Sequence, residues 1–184
     1  MILPIVAFGS NILRTKCKNI TPEYHKLDKL LSDMWETMYG ASGVGLAAPQ
    51  INKPIRLFLI DTTPFIDDND KSDYKPVKKV FINPTIINQT GEECVFNEGC
   101  LSIPELREDV IRKPIIKVEY YDENFVKYTE LFEGLTARVI QHEYDHINGV
   151  LFIDRISLLR RKMIKSKLND ISKGKVHTSY RMKY

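Results

Sequence analysis

Two histidines four residues apart, with a glutamate directly after the first, stand in Gln141-His142-Glu143-Tyr144-Asp145-His146. A helix turns ~100° per residue, so His142 and His146 differ by only ~40° and lie one turn, roughly 6 Å, apart on one face. Two imidazoles so placed can hold one cation. Glu143 then points to the side where a water on that cation would lie and is the candidate general acid/base. The chemistry implied is hydrolysis of an amide. The plainer alternative is a helix with two incidental histidines, but the chain has only four, and two of them fall here at ligand spacing.

A hydrolytic centre of this type needs a third protein ligand and one open position. His25, on a helix near the N-terminus, and His177, in a basic tail, read as surface residues. Carboxylates are numerous and stay open as ligands. The better candidate is Cys100 in Glu98-Gly99-Cys100-Leu101-Ser102. A thiolate binds borderline-soft divalent metals strongly, and Gly99 lets the backbone approach another group closely. Taken alone, a cysteine in a strand is more often a small core residue. Cys94 is read as structural. A third segment, Gly43-Val44-Gly45-Leu46-Ala47-Ala48-Pro49-Gln50, has small residues that would let a peptide lie against the main chain, and Gln50 offers a side-chain N–H donor. It makes a poor phosphate loop: no lysine follows, and it leads into a proline rather than a helix N-terminus.

The elements that must position these residues are partly visible. Thr21-Pro22-Glu23 has the chemistry of a helix start, Leu27, Leu30, Leu31, Met34, Trp35 and Met38 follow helical spacing, and Gly40 closes the segment. Arg56 to Ile60 and Val80 to Ile82 predict buried strands, with further extended segments at Ile115 to Tyr121 and Phe125 to Leu131. Leu135 to about Ile147 is helical, stopped by Asn148-Gly149, and carries the histidine pair. Leu158 to Ile171 predicts a second, basic C-terminal helix ending near Gly174. Asp67-Asp68-Asn69-Asp70 lacks the glycine and glutamate of a calcium loop and is read as a solvated turn. The class predicted is α+β: mixed or antiparallel sheets around a central metal-binding helix, with an N-terminal and a C-terminal helix, in one domain over residues 1–184.

Three cysteines are too few and too odd in number for a disulfide scaffold. The apolar opening Met1 to Phe8 is short, contains a proline and lacks a basic flank, so a cytoplasmic chain with neither a membrane nor DNA as partner is expected. The net charge of +3 conceals an asymmetry, because residues 155–184 hold 10 Lys/Arg against Asp170 alone. Such a tail suggests a polyanion such as RNA; a solvated helix that needs charge for solubility is the plainer reading.

The three motifs, in this order and spacing, resemble the peptide deformylase family over nearly the whole chain. The resemblance implies a bacterial-type enzyme that removes the formyl group from formyl-methionyl nascent proteins and releases formate. It implies one divalent ion on Cys100, His142 and His146. Fe(II) is the expected physiological ion, and zinc, nickel or cobalt can occupy the site. Gln50 and the backbone N–H of Leu101 would stabilise the oxyanion beside Glu143. Substrate would lie along the Val44 and Gly45 main chain and the Gly99 carbonyl. Val139, on the histidine face of its helix, would line an apolar pocket or simply pack in the core. Glu98 would pair with a downstream arginine, for which Arg112 is the candidate. Arg107 would stand at the mouth, and Arg138 near the pocket rim. Asp145 either orients a ligand histidine or is a helix-surface charge. The basic tail would reach toward the ribosome. The Thr62–Lys78 loop exceeds the family minimum. Two other readings stand beside this one: a zinc endopeptidase of the His-Glu-x-x-His kind, and a ribosome- or RNA-binding module with a structural metal.

Overall fold

The leucine and methionine stripe between residues 27 and 38 buries itself against a sheet. In the computed structural model, which describes residues 1–65 and 75–184, a short strand β1 (Ile5–Val6) precedes helix α1 (Leu27–Gly40). The helix starts later than its capping chemistry suggested. Thr21 to Tyr24 forms a turn closed by Tyr24 N–H on the Thr21 carbonyl at 3.0 Å, and Lys26 takes a left-handed conformation just before the helix. Tyr24 packs against the core, so tertiary contact overrides the local signal.

Strands β2 (Gly45–Ala47), β3 (Leu57–Asp61) and β4 (Lys78–Thr90) follow. Next come β5 (Cys94–Cys100), β6 (Ile103–Arg112), β7 (Ile115–Tyr121) and β8 (Lys127–Glu133). Helix α2 (Gly134–Ile147) carries the histidine pair and gives way at Asn148 and Gly149, whose φ of 75° is one glycine tolerates. The single C-terminal helix expected is two, α3 (Leu158–Met163) and α4 (Lys165–Ser172), before a last strand β9 (Met182–Lys183). The break has a cause: Ile164, Leu168 and Ile171 face the core, whereas α3 exposes Leu158, Leu159 and Met163. Arg160 and Arg161, still exposed, pair with Glu108 and Asp154 there.

The five-stranded antiparallel sheet has order β2-β3-β4-β7-β8. Leu57 and Leu59 face α1, and Phe58 and Ile60 face α2, so β3 is buried on both sides and its sequence runs apolar without alternation. β5 and β6 form a separate hairpin, and β1 pairs with β9 in parallel. The architecture is α+β with antiparallel sheets, as expected. No helix among the described residues is long and apolar enough to cross a membrane. The Asp67-Asp68-Asn69-Asp70 turn lies outside the described residues.

Candidate active site

Three chain segments far apart in sequence meet at one cavity of about 740 Å³, a size suited to a small ligand or a few residues of peptide. From α2 come His142 and Glu143, with His146 buried one turn behind; from the end of β5, Cys100; from the turn before β2, the start of β2 and the short 3-10 turn Ala48–Ile51, Val44, Gly45 and Gln50 respectively. The ligand atoms of Cys100, His142 and His146 all lie within 4.8 Å of one another, and Cys100 Sγ is 3.2 Å from His146 Nε2. A thiolate and two imidazoles suit a divalent ion bonded at ~2.0–2.3 Å, and this spacing lets one ion reach all three. These residues could therefore hold a metal.

The histidines are supported unequally. His142 Nδ1 lies 3.0 Å from Glu98 Oε2, which leaves Nε2 toward the cluster. Burial works against a charged His142 ring, but its contacts with Cys100 and Glu98 outweigh that and hold its pKa above the usual value. Burial, with the charges of His142 and Arg112, pushes His146 well below the usual value. Its Nδ1 has no hydrogen-bond partner among the described residues.

Glu143 is 4% exposed, and its Oε2 also lacks a partner among the described residues. Burial pushes this carboxyl up to about 7, with His142 opposing and the Glu98 and Asp145 charges assisting. A carboxyl so poised can both take and give a proton near neutrality. The main chain at Gly45 runs so close that a Cβ there would collide with the Glu143 carboxylate and force that side chain to shift.

Gln50 is fixed at both ends. Its Oε1 accepts from Ala47 N–H at 2.8 Å, and its Nε2 donates to Ser102 Oγ at 3.2 Å beside Cys100 Sγ at 3.6 Å. Leu101 borders the cavity opposite Gly43, whose added Cβ would lie 2.8 Å from Leu101 Cδ1. Val139 is 7% exposed, lines the cavity and also packs in the core, so its two readings meet in one side chain. Gly99 lies on the cavity wall against Arg107, which is tied to Asn97 by Nε at 2.9 Å.

Behind the cluster runs a chain of charges, buried at Glu98, Arg112, Arg138 and Asp145 and reaching the surface at Arg155. Glu98 binds Arg112 through both oxygens at 2.7 and 2.9 Å and also Arg138 at 3.1 Å. Arg112 in turn donates to Asp145 at 2.7 Å, and Asp145 binds Arg155 at 2.6 and 2.5 Å. Asp145 is thus neither a surface charge nor a direct partner of either histidine; the arginines take its carboxylate, and Glu98 contacts His142 instead. Arg138 sits deeper than a rim residue, 5% exposed and bonded to the carbonyls of Val110 and Cys94. Sequence reasoning missed Ser102 and Tyr180, whose hydroxyl donates to the Leu101 carbonyl at 2.8 Å. Ser102 sat inside a motif already singled out, whereas nothing in the sequence marked Tyr180.

Fold and site define a class: an α+β enzyme with a His/His/Cys cluster able to hold one cation beside a buried carboxyl. The chain belongs to the polypeptide deformylase family, whose model matches residues 2–162. It is 57% identical to a peptide deformylase of Christiangramia forsetii, covering 100% of this chain and 96% of that protein. It is 56% identical to one of Flavobacterium johnsoniae over the same shares. Among solved structures, a peptide deformylase from Legionella pneumophila is 36% identical with a TM-score of 0.82, covering 95% of this chain and 98% of that one. One from Thermotoga maritima is 42% identical with a TM-score of 0.74, covering 85% and 99%.

Proposed function

We propose that the enzyme removes the N-terminal formyl group from formyl-methionyl chains in a metal-dependent hydrolysis that releases formate. The observation that carries this reading is the convergence of Cys100, His142 and His146 beside buried Glu143 in a cavity large enough for a peptide end. Cys100, His142 and His146 would hold the ion. When bound, it supplies Lewis acidity that lowers the pKa of a water toward ~7.

Glu143 accepts a proton from the attacking water as its oxygen bonds the formyl carbon. The same carboxyl then delivers a proton to the nitrogen, so that the C–N bond breaks with an amine rather than an amide anion leaving. Formate and a free N-terminus result. Gln50 Nε2, held at its far end by Ala47, and the Leu101 N–H are donors for the developing oxyanion; each such donor is typically worth ~10²–10³ in rate. The Val44, Gly45 and Gly99 main chain would carry the peptide in extended form, and Val139 would meet the methionine side chain. Fe(II) is the physiological ion in this reading, with zinc, nickel or cobalt able to replace it. Membership of a deformylase family disfavours both an endopeptidase and a purely structural metal.

The test is formate release from formyl-Met peptides. Stripping the protein with a chelator is expected to abolish it, and anaerobic Fe(II) to restore it above the level reached with zinc. Formate release unchanged in metal-free protein would overturn the metal assignment.

The tail supports ribosome contact as part of the same proposal, since Arg161, Lys162, Lys165, Lys167, Lys173 and Lys175 stay exposed. Truncation would remove the buried Ile164, Leu168 and Ile171, so charge reversal is the cleaner probe. Replacing Lys162, Lys165 and Lys167 with glutamate is expected to weaken ribosome binding and flatten its salt dependence. Equal affinity at low salt would remove the idea.

A further inference from the structure

The cavity has a wall that the family motifs do not supply. His177, Thr178, Ser179 and Tyr180 line it, and all four lie beyond residue 162, where the family model's match ends. The match with the Thermotoga maritima enzyme spans 85% of this chain and 99% of that one.

The tail is held against the cavity at several points. Leu168 and Ile171 of α4 are buried, and β9 pairs with β1, with Ile5 N–H donating to the Arg181 carbonyl at 2.9 Å and Ala7 N–H to the Lys183 carbonyl at 2.8 Å. Thr178 Oγ1 donates to the Tyr180 carbonyl at 2.7 Å and stiffens the segment between. The Tyr180 hydroxyl then reaches the Leu101 carbonyl at 2.8 Å. The adjoining Ser102 is gripped by Phe8 N–H on its carbonyl at 2.8 Å and by Gln50 Nε2 on its hydroxyl at 3.2 Å. The Leu101–Ser102 turn, which follows directly on Cys100, is therefore fixed from both chain ends.

We propose that the C-terminal segment 177–180 is a working wall of the substrate site, with Tyr180 as a positioning residue for the Leu101–Ser102 turn and His177 to Ser179 as the surface met by peptide residues that follow the formylmethionine. This rests on the deformylase reading above. His177 and Ser179 are exposed along the cavity edge, where a bound peptide would leave toward solvent.

The test uses the full-length, metal-loaded protein and two substitutions. His177→Glu places a charge on the wall. It should shift the ratio of kcat/KM for formyl-Met-Ala-Lys against formyl-Met-Ala-Glu by about threefold or more in favour of the lysine peptide, as expected for one charge a few ångströms from another at a protein surface. Tyr180→Phe removes one neutral hydrogen bond. It should lower kcat about fivefold with KM nearly unchanged, and speed amide exchange at Leu101 and Ser102 by a similar factor. An unmoved peptide ratio with wild-type kcat and exchange overturns the proposal. If Tyr180→Phe fails to fold, the exposed His177→Glu variant decides alone. Wild-type protein that releases no formate from any formyl peptide defeats the deformylase reading instead, and the exchange measurement still reports whether Tyr180 holds the turn.

Discussion

Replacing Glu143 with glutamine is expected to lower kcat on formylated peptides by ~10²–10⁴-fold while the protein keeps its fold and its metal. Glutamine preserves the shape of a side chain packed tightly against the Gly45 main chain. It removes the only feature the mechanism needs from this position, a proton acceptor that becomes a donor. Among the described residues Glu143 forms no ion pair and its Oε2 lacks a hydrogen-bond partner. An unpaired buried carboxyl is costly to charge, so the substitution should leave the unfolding midpoint unchanged or raise it. Three readouts on one sample decide the matter: formate release, metal content and urea denaturation. Activity within tenfold of wild type would exclude Glu143 as the proton carrier. Metal lost together with activity would make it a ligand rather than an acid/base.

The parts legible in the sequence were those fixed by local spacing. His142 and His146 had to share a helix face wherever the helix lay, and β3 had to be buried because its run of Leu57 to Ile60 has no polar side. The β5–β6 hairpin was not legible, although its burial does alternate along Ile103 to Arg112. Two inward positions there are Glu108 and Arg112, and the facing strand turns Glu98 inward, so hydropathy hid a period that the ion pairs with Arg160 and Glu98 make tolerable. The same charges explain the miss at Asp145. From sequence a carboxylate one residue before His146 looks available to an imidazole, but buried Arg112 and the more exposed Arg155 compete for it more strongly than a neutral ring does. The tail's contact with the cavity was missed for a different reason. Its contacts join residues such as Leu101 and Tyr180, and no local pattern encodes a pairing across that separation.

Glu98 is the point where fold and site share one side chain, and Glu98→Gln should cost about 3–5 kcal/mol of stability, the usual cost of breaking a buried ion pair from one side. The carboxylate is 3% exposed and faces Arg112, Arg138 and the His142 ring at once. Burial favours its neutral form, yet the hydrogen bonds from Arg112 and His142 overcome this and hold it far below the usual carboxylate range. An amide in its place keeps the volume but turns an N–H₂ toward one of the two cationic forks, leaving Arg112 with Asp145 alone and Arg138 with two carbonyls. The loss also reaches the metal cluster, because Glu98 Oε2 is what fixes the His142 ring with Nε2 inward. Removing such a support typically weakens metal binding 10–100-fold, about 1.4–2.7 kcal/mol, less than the folding loss. Two measurements separate the effects. Urea unfolding of metal-free protein reads the ion-pair loss, and titration with a chelator of known affinity reads the His142 loss. A folding loss below about 1 kcal/mol would mean that the arginines find other partners and that Glu98 acts on the ring alone.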